Sequence, residues 1–260
     1  MGYNTVPLAL VAPAAAAGLA YINAKTALGY DVRLFGSAFK GLIVMSMREK
    51  KDRLNIFYRL EEYALGKRAN VTFLIFEGRQ WTYKETYQIV LKYGTWLKNT
   101  CNVKSKDIVA MDFMNSEKYI FLWFGLWAIG AKPAFINYNL TGTQLAHCIK
   151  ASTTCLTFID KEIQDNFTEE LRDGLPTVDF KVLTPELEAE ILSTDAIREP
   201  DSSRTEDLAR NIAALIYTSG TTGLPKPAIV SWAKFNAGAI LVGSWMSFRK
   251  SDIFYTVSSL

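Results

Sequence analysis

Short apolar runs alternate with longer helix-patterned segments from residue 71 to residue 245, and this alternation constrains the fold more than any other feature. Strands separated by helices are joined by crossovers, so they pair in parallel within a sheet covered on both faces. Residues 71–76 form a β-rich run, Glu77 and Gly78 a turn, and residues 79–82 a strand that pairs back as a hairpin. Thr82 followed by Glu85 reads as a capping box, opening a helix with Tyr83, Tyr87, Val90, Leu91, Gly94 and Leu97 on one face. Residues 108–113 read as a short apolar strand, and Asn115 as the cap of an apolar helix over 116–129 that Gly130 ends. That helix is short for a bilayer span and is predicted to be buried. Residues 133–136 read as a strand, and Thr141 with Gln144 as a second capping box ahead of Leu145, Cys148 and Ile149. Further strands are expected at 155–159, 180–183 and 212–217, with a polar surface connection over 187–204. The expectation is an α/β chain with a doubly wound, mostly parallel sheet.

The first 54 residues read differently. No charged side chain occurs up to Ala24, and residues 6–22 approach the ~20 apolar residues that span a bilayer. Alanine dominates there and Pro7 and Pro13 interrupt, so insertion is marginal. Basic residues outnumber acidic ones eight to three up to Arg59, although the whole chain carries only +3. A basic run after an apolar segment favours a membrane anchor with the rest facing the cytosol, over a secretory signal that needs a basic start. Phe35, Phe39, Leu42, Ile43 and Met47 recur at helical spacing, as in a helix lying on a membrane surface. We therefore divide the chain into a hydrophobic and basic membrane-association segment, 1–54, and a folded region, 55–260.

The weak net charge gives no nucleic-acid footprint. Three cysteines, Cys101, Cys148 and Cys155, leave an odd number with no C-x-x-C pair, against a disulfide framework or a zinc site. His147 is the single histidine, so no metal or triad can use two, and a structural role on a helix face is expected.

The chemistry concentrates after the strand at 212–217. Tyr217 leads into Thr218, Ser219, Gly220, Thr221, Thr222, Gly223, Leu224, Pro225 and Lys226. Glycines let backbone amides approach an anion, hydroxyls add donors, and the lysine adds a mobile positive charge. The string suits a polyphosphate, although no G-K-[ST] of the Walker pattern is present. An apolar run at 228–230 follows, and Ser231 can cap a helix through Phe235, Ile240, Leu241 and Trp245.

Tyr217 to Lys226 resembles the phosphate-binding signature of the adenylate-forming (AMP-binding) superfamily. Residues 115–119, 123–126, Gly130 with Ala131, 136–140 and 145–148 resemble its fatty acid transport protein, or very-long-chain acyl-CoA synthetase, branch. The resemblance implies the N-terminal part of an adenylate-forming large domain, ATP with Mg²⁺, coenzyme A as co-substrate, and a long or very-long-chain fatty acid. It implies an acyl-adenylate mechanism in which the backbone from Gly220 to Gly223 holds β- and γ-phosphates, assisted by Thr218, Ser219 and Lys226. It also implies membrane association, at the endoplasmic reticulum, peroxisome, lipid droplet or plasma membrane. Pro227 departs from the glycine common at that position and removes an amide donor. Residues 252–257 look like the start of the next family motif. The Mg²⁺-associated glutamate, the ribose-binding aspartate and the catalytic lysine of the family come later than Leu260, so this polypeptide alone is expected not to complete the reaction. The alternatives are a non-catalytic membrane module that binds lipid or a partner, and an adenylate-forming enzyme for short-chain or aromatic acids.

Overall fold

The computed structural model describes residues 8–205, 208–218, 223–246, 248–249 and 251–256. Two helices, α1 (Leu8–Thr26) and α2 (Leu28–Lys50), lead to α3 (Phe57–Ala64) and the hairpin β1 (Thr72–Phe76) and β2 (Arg79–Thr82). Glu77 and Gly78 both have positive φ, the paired left-handed geometry that matches the twist of a two-residue hairpin. The alternating region follows: α4 (Tyr83–Asn99), β3 (Ile108–Asp112), α5 (Glu117–Ala128), β4 (Lys132–Ile136), α6 (Gly142–Ala151) and β5 (Leu156–Asp160). It continues through α7 (Glu169–Asp173), β6 (Asp179–Leu183), α8 (Pro185–Ser193), β7 (Ile212–Thr218), β8 (Lys226–Ser231) and α9 (Trp232–Trp245).

The main sheet runs β6-β5-β3-β4-β7-β8, parallel except where β8 returns antiparallel beside β7. Strand alternation sorts β3 onto two faces. Val109 and Met111 pack with Tyr93, Trp96, Phe121, Leu122 and Ile191 from α4, α5 and α8. Ala110 packs the other way, with Leu145, Cys148 and Ile149 of α6 and Leu171 of α7. Helices thus cover both faces, as the alternation requires.

The capping box of α4 forms in full: the Glu85 amide donates to Thr82 Oγ1, and the Thr82 amide donates to the Glu85 carboxylate. Other local expectations need correction. Ser116, not Asn115, caps α5, accepting the Tyr119 amide. Thr141 makes no side-chain cap, and Gln144 turns elsewhere. The connection expected over 187–204 holds α8 at its start, and Arg204 at its end is 1% exposed. The Arg204 guanidinium donates to the carbonyls of Ala128 and Glu199 and lies over the rings of Phe57 and Tyr58. Five hydrogen-bond donors on a flat cation let one side chain tie this segment to α3 and α5.

At the N-terminus, the apolar segment expected over 6–22 falls mostly in α1, with residues 6 and 7 outside the described residues. No helix among the described residues is long and apolar enough to cross a membrane. The inner face of α2 packs on α9, with Gly41 against Ile240, and the Glu49 carboxylate accepts the Ala209 amide. Asn236 of α9 donates to the Leu54 carbonyl.

Candidate functional site

All five parallel strands end at one edge of the sheet, where ligands of open α/β folds bind. β7 reaches that edge at Thr218, and its position is fixed from behind. The indole of Trp127, 1% exposed on α5, donates to the Ala213 carbonyl at 2.9 Å and packs on the buried Trp232. The segment leaving β7 returns as β8, and Lys226 comes to stand directly opposite Thr218 in the antiparallel register. Thr218 and Lys226 are both exposed. A threonine hydroxyl and a lysine ammonium thus flank the two ends of one Gly/Ser/Thr turn.

Of the residues assigned to phosphate binding, Ser219, Gly220, Thr221 and Thr222 lie outside the described residues. Gly223, Leu224 and Pro225 lead into Lys226. Gly223 has φ +82°, which an L-residue adopts only with strain, and its carbonyl accepts Gln144 Nε2 at 3.2 Å. Gln144, read from the sequence as half of a capping box, holds the turn to the start of α6 instead. Tyr217 is half-buried against α6. Its hydroxyl donates to the Cys148 carbonyl at 2.7 Å, and burial raises its pKa. Pro227 sits in β8, the edge strand of the sheet, the place within a sheet where a missing amide is tolerated.

The Tyr217 contact is modest in energy. The Cys148 carbonyl also accepts the Ser152 amide at 3.1 Å, so losing the hydroxyl leaves no orphaned acceptor. Tyr217→Phe is expected to cost about 0.5–1 kcal/mol, read as a small fall in urea midpoint. A loss of several kcal/mol would mean that the hydroxyl supports more than α6.

Sequence reasoning missed one group at this edge. Asp112 ends β3, in a run read as apolar, and is fully buried on the α6 side. Neither carboxylate oxygen has a hydrogen-bond partner. Burial, reinforced by the negative charge of Asp160 on the neighbouring strand, pushes its pKa up to about 7. Burial and then Asp112 push the nearby Cys148 thiol up to about 11. The signal was available: a carboxylate closing a strand at the carboxyl edge of a parallel sheet. Among the described residues no cluster of three His, Cys, Asp or Glu side chains could hold a metal ion.

Residues 60–260 match the model of a family described as AMP-binding enzyme. The very long-chain fatty acid transport protein of Cochliobolus heterostrophus is 33% identical over 98% of this chain and 40% of its own length. That of Saccharomyces cerevisiae is 35% identical over 84% of this chain and 33% of its own length. The chain thus spans 40% or less of these two relatives. A long-chain-fatty-acid-CoA ligase from Archaeoglobus fulgidus superposes with a TM-score of 0.63 at 17% identity, over 76% of this chain and 40% of that one, a likeness of fold.

Proposed function

The chain belongs to the AMP-binding enzyme family, and we propose that it is the N-terminal portion of an ATP-dependent ligase joining long or very-long-chain fatty acids to coenzyme A. The observation that carries this reading is the β7–β8 hairpin. Its turn is built from glycine and hydroxyl residues, with Thr218 and Lys226 brought opposite each other at the carboxyl edge. The choice of fatty acid rests on the two fungal relatives.

In this reading the fatty carboxylate attacks the α-phosphate of ATP, pyrophosphate leaves, and the coenzyme A thiol then displaces AMP from the acyl-adenylate. The protein aligns the triphosphate and neutralises the departing pyrophosphate. Amides from Gly220 to Gly223 take the β- and γ-phosphates, with Thr218 and Ser219 adding hydroxyl donors. Lys226 adds a positive charge. Gln144 and Tyr217 tie Gly223 and the end of β7, on either side of the turn, to α6. Mg²⁺ would accompany the nucleotide, and we assign it no ligand among the described residues. The outward apolar residues of α2, among them Phe35 at 72% and Phe39 at 67% exposed, support attachment to a membrane surface.

The test uses a polypeptide extended to the length of the relatives and reads fatty-acid-dependent exchange between ATP and pyrophosphate. Lys226→Ala should lower exchange about a hundredfold without unfolding the chain, since the lysine is exposed while the backbone donors remain. Undiminished exchange removes Lys226 from the site. Exchange with short-chain or aromatic acids alone removes the fatty-acid assignment and keeps adenylation.

A further inference from the structure

A cleft of about 570 Å³ opens where the C-terminal end of α2 meets α3. Val44 and Met47 form an apolar side, and Arg48, Lys51, Arg53 and Arg59 form a basic one. Two carboxylates also line it, and both are committed. Glu61 accepts Arg198 at 2.5 Å and the Tyr87 hydroxyl at 2.8 Å. Glu62 is shared, with Oε2 3.2 Å from Arg59 and 3.6 Å from Arg48. Arg53 pairs at 2.5 Å with Asp201, which does not line the cleft, and Lys51 makes no ion pair among the described residues.

Arg48 and Arg59 therefore face a single carboxylate between them. Arg48 also donates to the Arg53 carbonyl at 3.4 Å, and its pKa is lowered by burial and then by repulsion from Arg59, against the opposing pull of Glu62. A bound anion would offset the repulsion between the two guanidinium groups. Phosphate suits the lining, because guanidinium groups present forked donors to its oxygens.

The apolar side identifies the source of that phosphate. Met47 belongs both to the cleft and to an outward stripe of α2 that includes Phe35, Phe39, Leu42 and Ile43. The stripe lies opposite Gly41, the point where α2 rests on α9. A soluble phosphate has no use for such a stripe, whereas a lipid carries its phosphate just above an apolar layer. We propose that this cleft binds the phosphate headgroup of an anionic phospholipid while the α2 stripe lies in the membrane interface, an inference that rests on the membrane-surface reading given above.

The experiment measures binding of the 260-residue chain to vesicles of phosphatidylcholine alone and of phosphatidylcholine with phosphatidylserine. Tighter binding to the anionic vesicles is expected. Arg48→Gln with Arg59→Gln should weaken it about thirtyfold, from the roughly fivefold that each cation contributes at an anionic surface. Lys51→Gln, an exposed change that breaks no ion pair among the described residues, should weaken it about fivefold. A control of equal charge remote from the cleft, Lys150→Gln with Lys161→Gln, should change it little. Equal binding to both vesicles, or equal loss in the control, overturns the headgroup site and leaves the membrane reading standing. Release from vesicles by millimolar inorganic phosphate assigns the cleft to a soluble anion and also overturns it. Binding to neither vesicle removes the membrane reading itself.

Discussion

Gly130→Ala is expected to destabilise the chain by about 3–5 kcal/mol, among the largest effects available to a single methyl group. Two costs combine. Gly130 has φ +83°, a conformation that strains any L-residue by about 1 kcal/mol or more. The added Cβ would also fall inside the van der Waals shell of the Ser203 carbonyl oxygen and within 2.8 Å of Ser105 Oγ. A backbone carbonyl cannot rotate aside as a side chain can, so the segment around Ser203 must move. That segment carries Arg204, whose guanidinium is bonded to Ala128 and Glu199 and stacked on Phe57 and Tyr58. Moving it strips partners from a buried cation, the costly kind of loss. Gly78 supplies the control. Its φ is +78°, yet a Cβ there would meet nothing within 4 Å. Gly78→Ala should therefore cost only about 1 kcal/mol, the backbone strain by itself. Urea unfolding of both variants separates the two contributions. Equal losses would show that Ser203 does not crowd Gly130.

The parts of this molecule legible in its sequence are those where one short-range rule decides the outcome. The Thr82–Glu85 box formed because both partners lie within one turn of helix, and the Glu77–Gly78 hairpin because two left-handed residues suit the strand twist. The parallel sheet was legible because apolar runs separated by helices admit few other arrangements. The failures came where a distant partner outbid a local one. Gln144 had a capping role available next to Thr141 and instead donates to Gly223, far along the chain. Arg204, in a segment rich in charge and serine, buries itself between α3 and α5, and nothing nearby in sequence predicts that. The string from Thr218 to Lys226 was conspicuous because its residue types mark it. The register that sets Thr218 against Lys226 could be read only once β7 and β8 were paired.

Asp112→Asn is expected to make the chain more stable above neutral pH and to leave it nearly unchanged at pH 4. An unfolded aspartate titrates near 3.8, whereas in the fold Asp112 titrates at about 7. Between those values the folded chain holds a proton that the unfolded chain has released, so stability falls as pH rises through this window. Above about 7 both states are ionised and the loss is complete. At ~1.4 kcal/mol per unit of pKa, the ceiling is about 4 kcal/mol. Asparagine keeps the shape and removes the ionisation, so the advantage of the variant should grow from near zero at pH 4 to about 2–4 kcal/mol at pH 8. Other carboxylates respond in the opposite direction. Arg198 and Tyr87 outweigh burial to hold Glu61 below its usual range, a contribution lost as pH falls, but it is common to both proteins and cancels in their difference. The measurement is a pair of urea titrations at each pH. A difference that does not vary with pH would mean that Asp112 is hydrated or paired in solution and not the unpartnered buried acid seen at the end of β3. If the pH-dependent difference appears, the sheet edge from which the turn proposed to hold phosphate departs carries a neutral carboxylic acid at pH 6 and a buried negative charge at pH 8. A polyanion held near that edge would then meet extra repulsion on the alkaline side.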